Sequence, residues 1–183
     1  MRIISIPRPF FPAFPLLVLA LAACSIAPPE PAPAPQPTMP VAAPSPTPSQ
    51  PQGEWIDWPI TPGEWIYRKD SRGSLALFGQ TDRDAVFIIR CDQSRRQLFL
   101  SRSGSVGDNA KMVLRASAGL QSYPAANIGG TPHYAAIAVS PRDIMMDRIA
   151  YSRGRFAVET DGLESLAIPA WPEFSRVVED CRT

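Results

Sequence analysis

Few side chains in this sequence could carry acid, base or nucleophilic chemistry. His133 is the only histidine, so a metal site needing two imidazoles is excluded, and any Ser-His-Asp arrangement would have to be built around it. It stands between Pro132 and Tyr134 at the start of an apolar run, a setting that suits a strand end better than a catalyst. Acids occur in close pairs, Asp82/Asp84, Glu159/Asp161 and Glu179/Asp180. Two carboxylates are what a glycoside hydrolase needs for its acid and base. Each pair falls in a turn or on a solvated helix end, where carboxylates are ordinary, and none accompanies a recognisable motif. Ser101 to Gly107 reads SRSGSVG, which suits a flexible hairpin loop better than the GxSxG of a nucleophile turn. Arg90, Arg95, Arg96 and Arg102 crowd one hairpin. They could bind an anionic glycan or a phospholipid headgroup, or form a solvated, charge-balanced sheet face. The expectation is a non-enzymatic protein with no catalytic residue, metal or cofactor.

The elements that position these residues follow from hydrophobic periodicity. Short apolar runs at 65–69, 75–79, 86–91, 97–102, 111–116, 120–125, 133–140, 155–160 and 164–168 are separated by turn-forming residues at 70–73, 82–84, 103–109 and 129–132. Met112 and Leu114 alternate with Lys111, Val113 and Arg115, and Phe156 and Val158 alternate with Arg155, Ala157 and Glu159. One face of each strand therefore meets a core. Val86-Phe87-Ile88-Ile89 is apolar on both faces and is placed centrally. The pattern predicts a mainly β domain, an antiparallel sandwich or barrel of about eight strands, with two short helices. The first is expected from Ser140 as N-cap and Pro141 at its first position to about Ala150. The second begins at Pro172, and its apolar residues Phe174, Val177, Val178 and Cys181 form one stripe, so Cys181 points inward. Gly53-Glu54-Trp55-Ile56 recurs as Gly63-Glu64-Trp65-Ile66, ten residues on. Two copies do not make a repeat protein. The tryptophans are expected to tie the first strand and its lead-in to the core, the alternative being exposed rings that stack on sugars.

The N-terminus reads as an address. Residues 1–23 begin with Arg2 and Arg8 and no acid, continue through Phe10, Phe11, Phe14 and the run Leu16 to Leu21, and end in Ala22-Ala23 before Cys24. This is the layout of a cleaved export signal. Pro12 and Pro15 break a stretch already too short to span a bilayer, which takes about 20 residues. Leu21-Ala22-Ala23-Cys24 resembles the lipobox of bacterial lipoproteins, and the resemblance extends over the signal upstream. It implies cleavage before Cys24 and acylation of that cysteine; two or more acyl chains hold a protein on a membrane stably. Ser25, where that family's inner-membrane retention signal carries Asp, implies the outer membrane. The alternatives are an ordinary secretory signal with a chance cysteine, or a buried thiol.

Residues 24–52 are expected to be the lipidated cysteine and a disordered tether. Eleven of the 22 prolines fall between Pro28 and Pro51, where Glu30 is the only charge. Such a segment cannot bury enough apolar surface to fold, and it should favour polyproline II geometry. A docking site for a proline-recognition module is the weaker reading. Residues 53–183 then form a single domain. Without Arg2 and Arg8 the chain carries 16 basic against 17 acidic side chains, which argues against a nucleic-acid binder. In an exported chain with Cys24 acylated, Cys91 and Cys181 are left to form a disulfide that staples the last helix to the sheet; the alternative is two separate buried thiols.

The domain is also similar to envelope proteins of alphaproteobacteria that have no assigned activity. The similarity rests on Gly63-Glu64-Trp65-Ile66-Tyr67 through Gly73-Ser74-Leu75-Ala76-Leu77-Phe78-Gly79, on Arg90-Cys91-Asp92, on Ser152-Arg153-Gly154-Arg155-Phe156, and on Ile168-Pro169-Ala170-Trp171-Pro172-Glu173 through Cys181. It carries over no catalytic residue. The expected protein is therefore a lipid-anchored envelope protein whose partners are the membrane, through the lipid, and an envelope protein or glycan. Its β-domain would bind or play a structural part. The alternative is an inhibitor of a lysozyme or protease that inserts an exposed rigid loop such as 103–109. A carbohydrate hydrolase is the third possibility.

Overall fold

The computed structural model describes residues 50–183. The signal, Cys24 and the tether as far as residue 49 lie outside the described residues. Ten strands form in the order β1 (Glu64–Asp70), β2 (Gly73–Gly79), β3 (Phe87–Asp92), β4 (Gln97–Ser103), β5 (Lys111–Ala116), β6 (Gly119–Pro124), β7 (Ala126–Ile128), β8 (Tyr134–Val139), β9 (Arg155–Thr160) and β10 (Leu166–Pro169). Helix α1 (Ile144–Ala150) links β8 to β9, and α2 (Pro172–Arg182) ends the chain. The strands pair antiparallel in a six-stranded sheet, β1-β2-β3-β4-β8-β7, and a four-stranded sheet, β10-β9-β5-β6. The fold is the mainly β sandwich that the periodicity predicts. Neither sheet closes on itself, which removes the barrel alternative.

The two sheets meet through aromatic side chains from alternate strand positions. Trp65 of β1 lies 5.3 Å from Phe78 of β2 and 6.3 Å from Phe174 of α2, centroid to centroid, and Phe156 of β9 lies 5.4 Å from Phe174 and 5.9 Å from Phe87 of β3. These five rings join both sheets and the last helix in one cluster, with the tilted and edge-on geometries aromatic pairs prefer. The Trp65 indole N–H donates to the Pro169 carbonyl at 2.9 Å, so burying it leaves no orphan donor.

Helix α2 buries Phe174, Val177, Val178 and Cys181, the expected stripe. Cys181 is joined to Cys91, with Cα atoms 5.4 Å apart and a sequence separation of 90. The Tyr67 hydroxyl of β1 adds a second tie by donating to Asp180 of α2 at 2.6 Å.

One local expectation needs correction. The first helix is capped by Asp143, whose carboxylate accepts from the Met145 amide at 2.8 Å. Ser140 and Pro141 belong to the turn before it, where the Ser140 carbonyl accepts from the Asp143 amide at 3.0 Å. Asp satisfies exposed amides as well as Ser does, and its position three residues later moves the helix start to Ile144. The run 120–125 is β6, with Ala125 just past its end. Pro124 ends β6 on the edge of the smaller sheet, where a missing amide is tolerated. The Ala125 amide then turns away to the Ala110 carbonyl at 2.8 Å, and the chain crosses to the larger sheet as β7.

The lead-in to β1 is part of the fold. Trp55 and Trp58 pack on Ala157 and Ala167, on the outer face of the four-stranded sheet. The Thr61 amide donates to the Ala167 carbonyl at 2.9 Å, and Arg155 donates to the Trp58 carbonyl at 2.6 Å. Gln50, the first described residue, already touches the domain, its side-chain amide donating to the Leu163 carbonyl at 3.0 Å.

Candidate functional site

The outer face of the six-stranded sheet carries side chains that an exposed sheet face ordinarily avoids. Antiparallel sheets with one solvated face alternate apolar inside with polar outside. Here, register aligns Ile66, Leu77, Ile88, Ser101, Ala136 and Ala126 in one outward row across all six strands. Ser101 is its only polar member. Beside it runs a second row, Arg68, Leu75, Arg90, Phe99 and Ala138. No element of the described residues lies over these rows, and Ile66 and Ile128 remain 50% and 45% exposed.

The face is concave. A groove of about 330 Å³ is floored by Leu75, Ile88, Phe99 and Ala136 and edged by Arg72, Arg90, Arg95 and Asp92. A second lobe of about 300 Å³ runs over Ile66 and Leu77 towards Arg83 and Asp84, and Tyr134 lines both lobes. The Tyr134 hydroxyl donates to the Ala85 carbonyl at 2.7 Å. Burial, with Asp84 nearby, holds this phenol's pKa above its ordinary value. It therefore stays neutral and fixed.

Charge is concentrated at the first lobe. Three arginines face one carboxylate in its lining, and adding Asp70, 2.7 Å from Arg90, still leaves three cations against two anions. The second lobe is balanced, with Arg68 and Arg83 against Glu64 and Asp84. The hydrogen bond from Arg90, with that from the Arg72 amide, holds the Asp70 carboxyl below its ordinary pKa, and the Ser94 hydroxyl does the same for Asp92. Arg72 sits in the tight turn between β1 and β2. Gly73 there lies so near β3 that an added Cβ would come within 2.6 Å of the Cys91 carbonyl oxygen. The Gln93 amide donates to the Arg72 carbonyl at 3.0 Å, fixing the turn against the next hairpin. Among the described residues no carboxylate lies within salt-bridge distance of the Arg72 guanidinium. Three guanidinium groups beside two hydrogen-bonded carboxylates present donors to an anion, so the arrangement is suited to binding.

The structure divides the arginine cluster expected around the β3–β4 hairpin. Arg90 and Arg95 reach the groove, and Arg72 joins them from another turn. Arg102 shares the inward parity of Leu98 and Leu100 and is buried. Its guanidinium donates to the carbonyls of Ser103 and Glu164, at 2.5 and 3.2 Å, and so ties β4 to the connection between β9 and β10. Arg96 lines a separate cleft of about 120 Å³ with Arg142 and Arg182.

His133 is exposed, and its carbonyl accepts from the Gly104 amide at 2.8 Å. Two of the three acid pairs are engaged locally: Glu159 bonds Arg115 at 2.8 Å, Asp161 accepts from the Lys111 amide at 2.9 Å, Glu179 bonds Arg182 at 2.9 Å and Asp180 accepts from Tyr67 at 2.6 Å, while Asp82 and Asp84 lie in the β2–β3 connection, where Asp84 lines the second lobe. Among the described residues no group of three His, Cys, Asp or Glu side chains could hold a metal ion. The loop at 103–109 is pinned at its middle, because Val106 is buried and exchanges two hydrogen bonds with the Asn127 amide, at 2.8 and 2.7 Å. Gly107, Asp108 and Asn109 remain exposed. No family model, curated protein or solved structure matches this chain.

Proposed function

We propose that this chain is a lipid-anchored protein of the bacterial envelope whose β-sandwich serves as a non-enzymatic binding module. The observation that carries the binding role is the uncovered apolar face of the six-stranded sheet, since a contiguous apolar patch on a soluble domain ordinarily marks an interaction site. Two independent features support the envelope setting. Leu21-Ala22-Ala23-Cys24 follows an apolar stretch as a lipobox does, and the Cys91–Cys181 disulfide suits an oxidising compartment. The outer membrane is the proposed destination, with the proline-rich segment holding the domain off the bilayer.

Labelled palmitate tests the anchor. The wild-type chain should incorporate label and fractionate with membranes, while Cys24→Ala should do neither. A mature chain that still begins at Met1, or one free in solution and unlabelled, would contradict the reading. A second reading, inhibition of a lysozyme or protease, is favoured by the pinned loop whose tip at Gly107 to Asn109 stands free. It predicts that the mature chain slows such an enzyme and that replacing Asp108 and Asn109 with alanine abolishes the effect.

A further inference from the structure

We infer that the groove on the six-stranded sheet takes a small anionic amphiphile, its apolar chain lying over Leu75, Ile88, Phe99 and Ala136 and its anionic head among Arg72, Arg90 and Arg95. The inference rests on the binding-module reading and specifies its ligand. Volume, polarity and charge each narrow the choice. Two lobes of about 330 and 300 Å³ meet at Tyr134, a size ordinary for small-molecule sites. The floor is apolar apart from Ser101, so a glycan would leave most of its hydroxyls facing Ile66, Leu77 and Ile88 without partners, which is costly. A purely apolar guest would leave the cationic end unanswered, and a cationic one would be repelled by it.

The arginines are placed at one end rather than scattered. Arg72 and Arg90 stand on either side of Asp70, which hydrogen-bonds both, through the Arg72 amide at 2.9 Å and the Arg90 guanidinium at 2.7 Å. Arg95 is 72% exposed and only 3.9 Å from Asp92 at its nearest. Guanidinium groups suit oxyanions because their donors form a planar fork. With the second lobe charge-balanced, the ligand is oriented with its head at the end formed by the β1–β2 and β3–β4 turns.

Titration of residues 24–183 carrying Cys24→Ser, with the disulfide intact, tests this. The probe is monomeric dodecyl phosphate, followed by calorimetry and amide chemical shifts. Dodecyl phosphate should bind and shift the amides of Leu75, Ile88, Phe99 and Ala136. Dodecyl maltoside should bind about tenfold to a hundredfold more weakly, the worth of losing one or two charge-assisted hydrogen bonds. Inorganic phosphate should not bind detectably. Shortening the chain should weaken binding by roughly fourfold per buried methylene removed. Arg72→Gln with Arg95→Gln should remove the preference for phosphate over maltoside, and both side chains are peripheral enough to leave the melting temperature unchanged. Ala136→Trp should block both probes, with the melting temperature checking that the variant folds.

Equal binding of phosphate, maltoside and trimethylammonium heads would overturn the inference, as would shifts confined to another face. So would binding to anionic phospholipid vesicles without binding of monomeric probe, or concentration-dependent dimerisation through this face that excludes the probe. None of these outcomes depends on acylation of Cys24, which the palmitate experiment reads separately.

Discussion

The two outer faces of this sandwich are treated differently by the same chain. On the four-stranded sheet the outward alanines Ala157 and Ala167 are covered by Trp55 and Trp58 from the lead-in, and beside them Arg115 pairs with Glu159 at 2.8 Å. On the six-stranded sheet the outward residues are larger and more apolar, yet nothing of the described chain covers them. The difference shows that the fold can cap an outer face with residues just ahead of β1, and does so on the side that needs it less. Among the described residues the row of Ile66, Leu77 and Ile88 has no cap while Ala157 has one, and this contrast is what the proposed guest would account for.

The disulfide gives the largest expected effect, because both faces are built on the core it joins. Cys91→Ser with Cys181→Ser should lower stability by about 4 to 5 kcal/mol on the chain-entropy estimate for a loop of this length. Urea denaturation measures it, and amide exchange should accelerate on both outer faces together. Faster exchange on one face only would mean that the sheets are stabilised separately.

Trp58→Ala comes next. Trp58 is 8% exposed, and its removal should cost about 3 kcal/mol, as for other large-to-small core changes. Its counterpart on the bare face, Ile66→Thr, should change stability by no more than about 0.5 kcal/mol. If the two substitutions cost the same, the faces are not different in the way described here.

The smallest effect is on pH dependence. Burial works to raise the Asp180 carboxyl, and the hydrogen bond from Tyr67 and the nearby charges of Lys69 and Arg176 are among the influences that together outweigh it, so its pKa is held below the ordinary 3.8. A carboxyl depressed in the folded state contributes stability that is fully present above 3.8 and is lost as pH falls below it. Asp180→Asn should remove that part of the acid sensitivity. Asp70 is also depressed but fully exposed, so its contribution should be screened away by added salt.

Much of this architecture is legible in the sequence, and the failures have local causes. Period-two alternation located β5 and β9 to the residue, and the stripe from Phe174 to Cys181 placed the last helix and the partner of Cys91. Val86 to Ile89 is apolar on both faces, which predicts a central strand. It is central, but only Phe87 and Ile89 are fully buried, while Ile88 looks out into the groove. A double-sided apolar strand signals either two covered faces or one covered face and one that binds, and periodicity alone does not separate these. Arg102 could have been removed from the surface cluster by parity with Leu98 and Leu100. Arg72 could not have been added to it, because only the β1–β2 turn and its packing against β3 bring it there. The cap formed by Trp55 and Trp58 was half visible: the expectation that tryptophans tie the lead-in to the core is correct for Trp65, while its neighbours serve the opposite side of the sandwich.

Photo-crosslinking in intact cells tests the central claim most directly. A benzophenone side chain would replace Ile88 on the bare face or Val113 on the outward side of β5. Ile88 should yield a chain heavier by one small anionic amphiphile, identified by mass, and Val113 should yield none. Equal labelling at both positions, or labelling at Val113 alone, would contradict the assignment of the six-stranded sheet as the binding face.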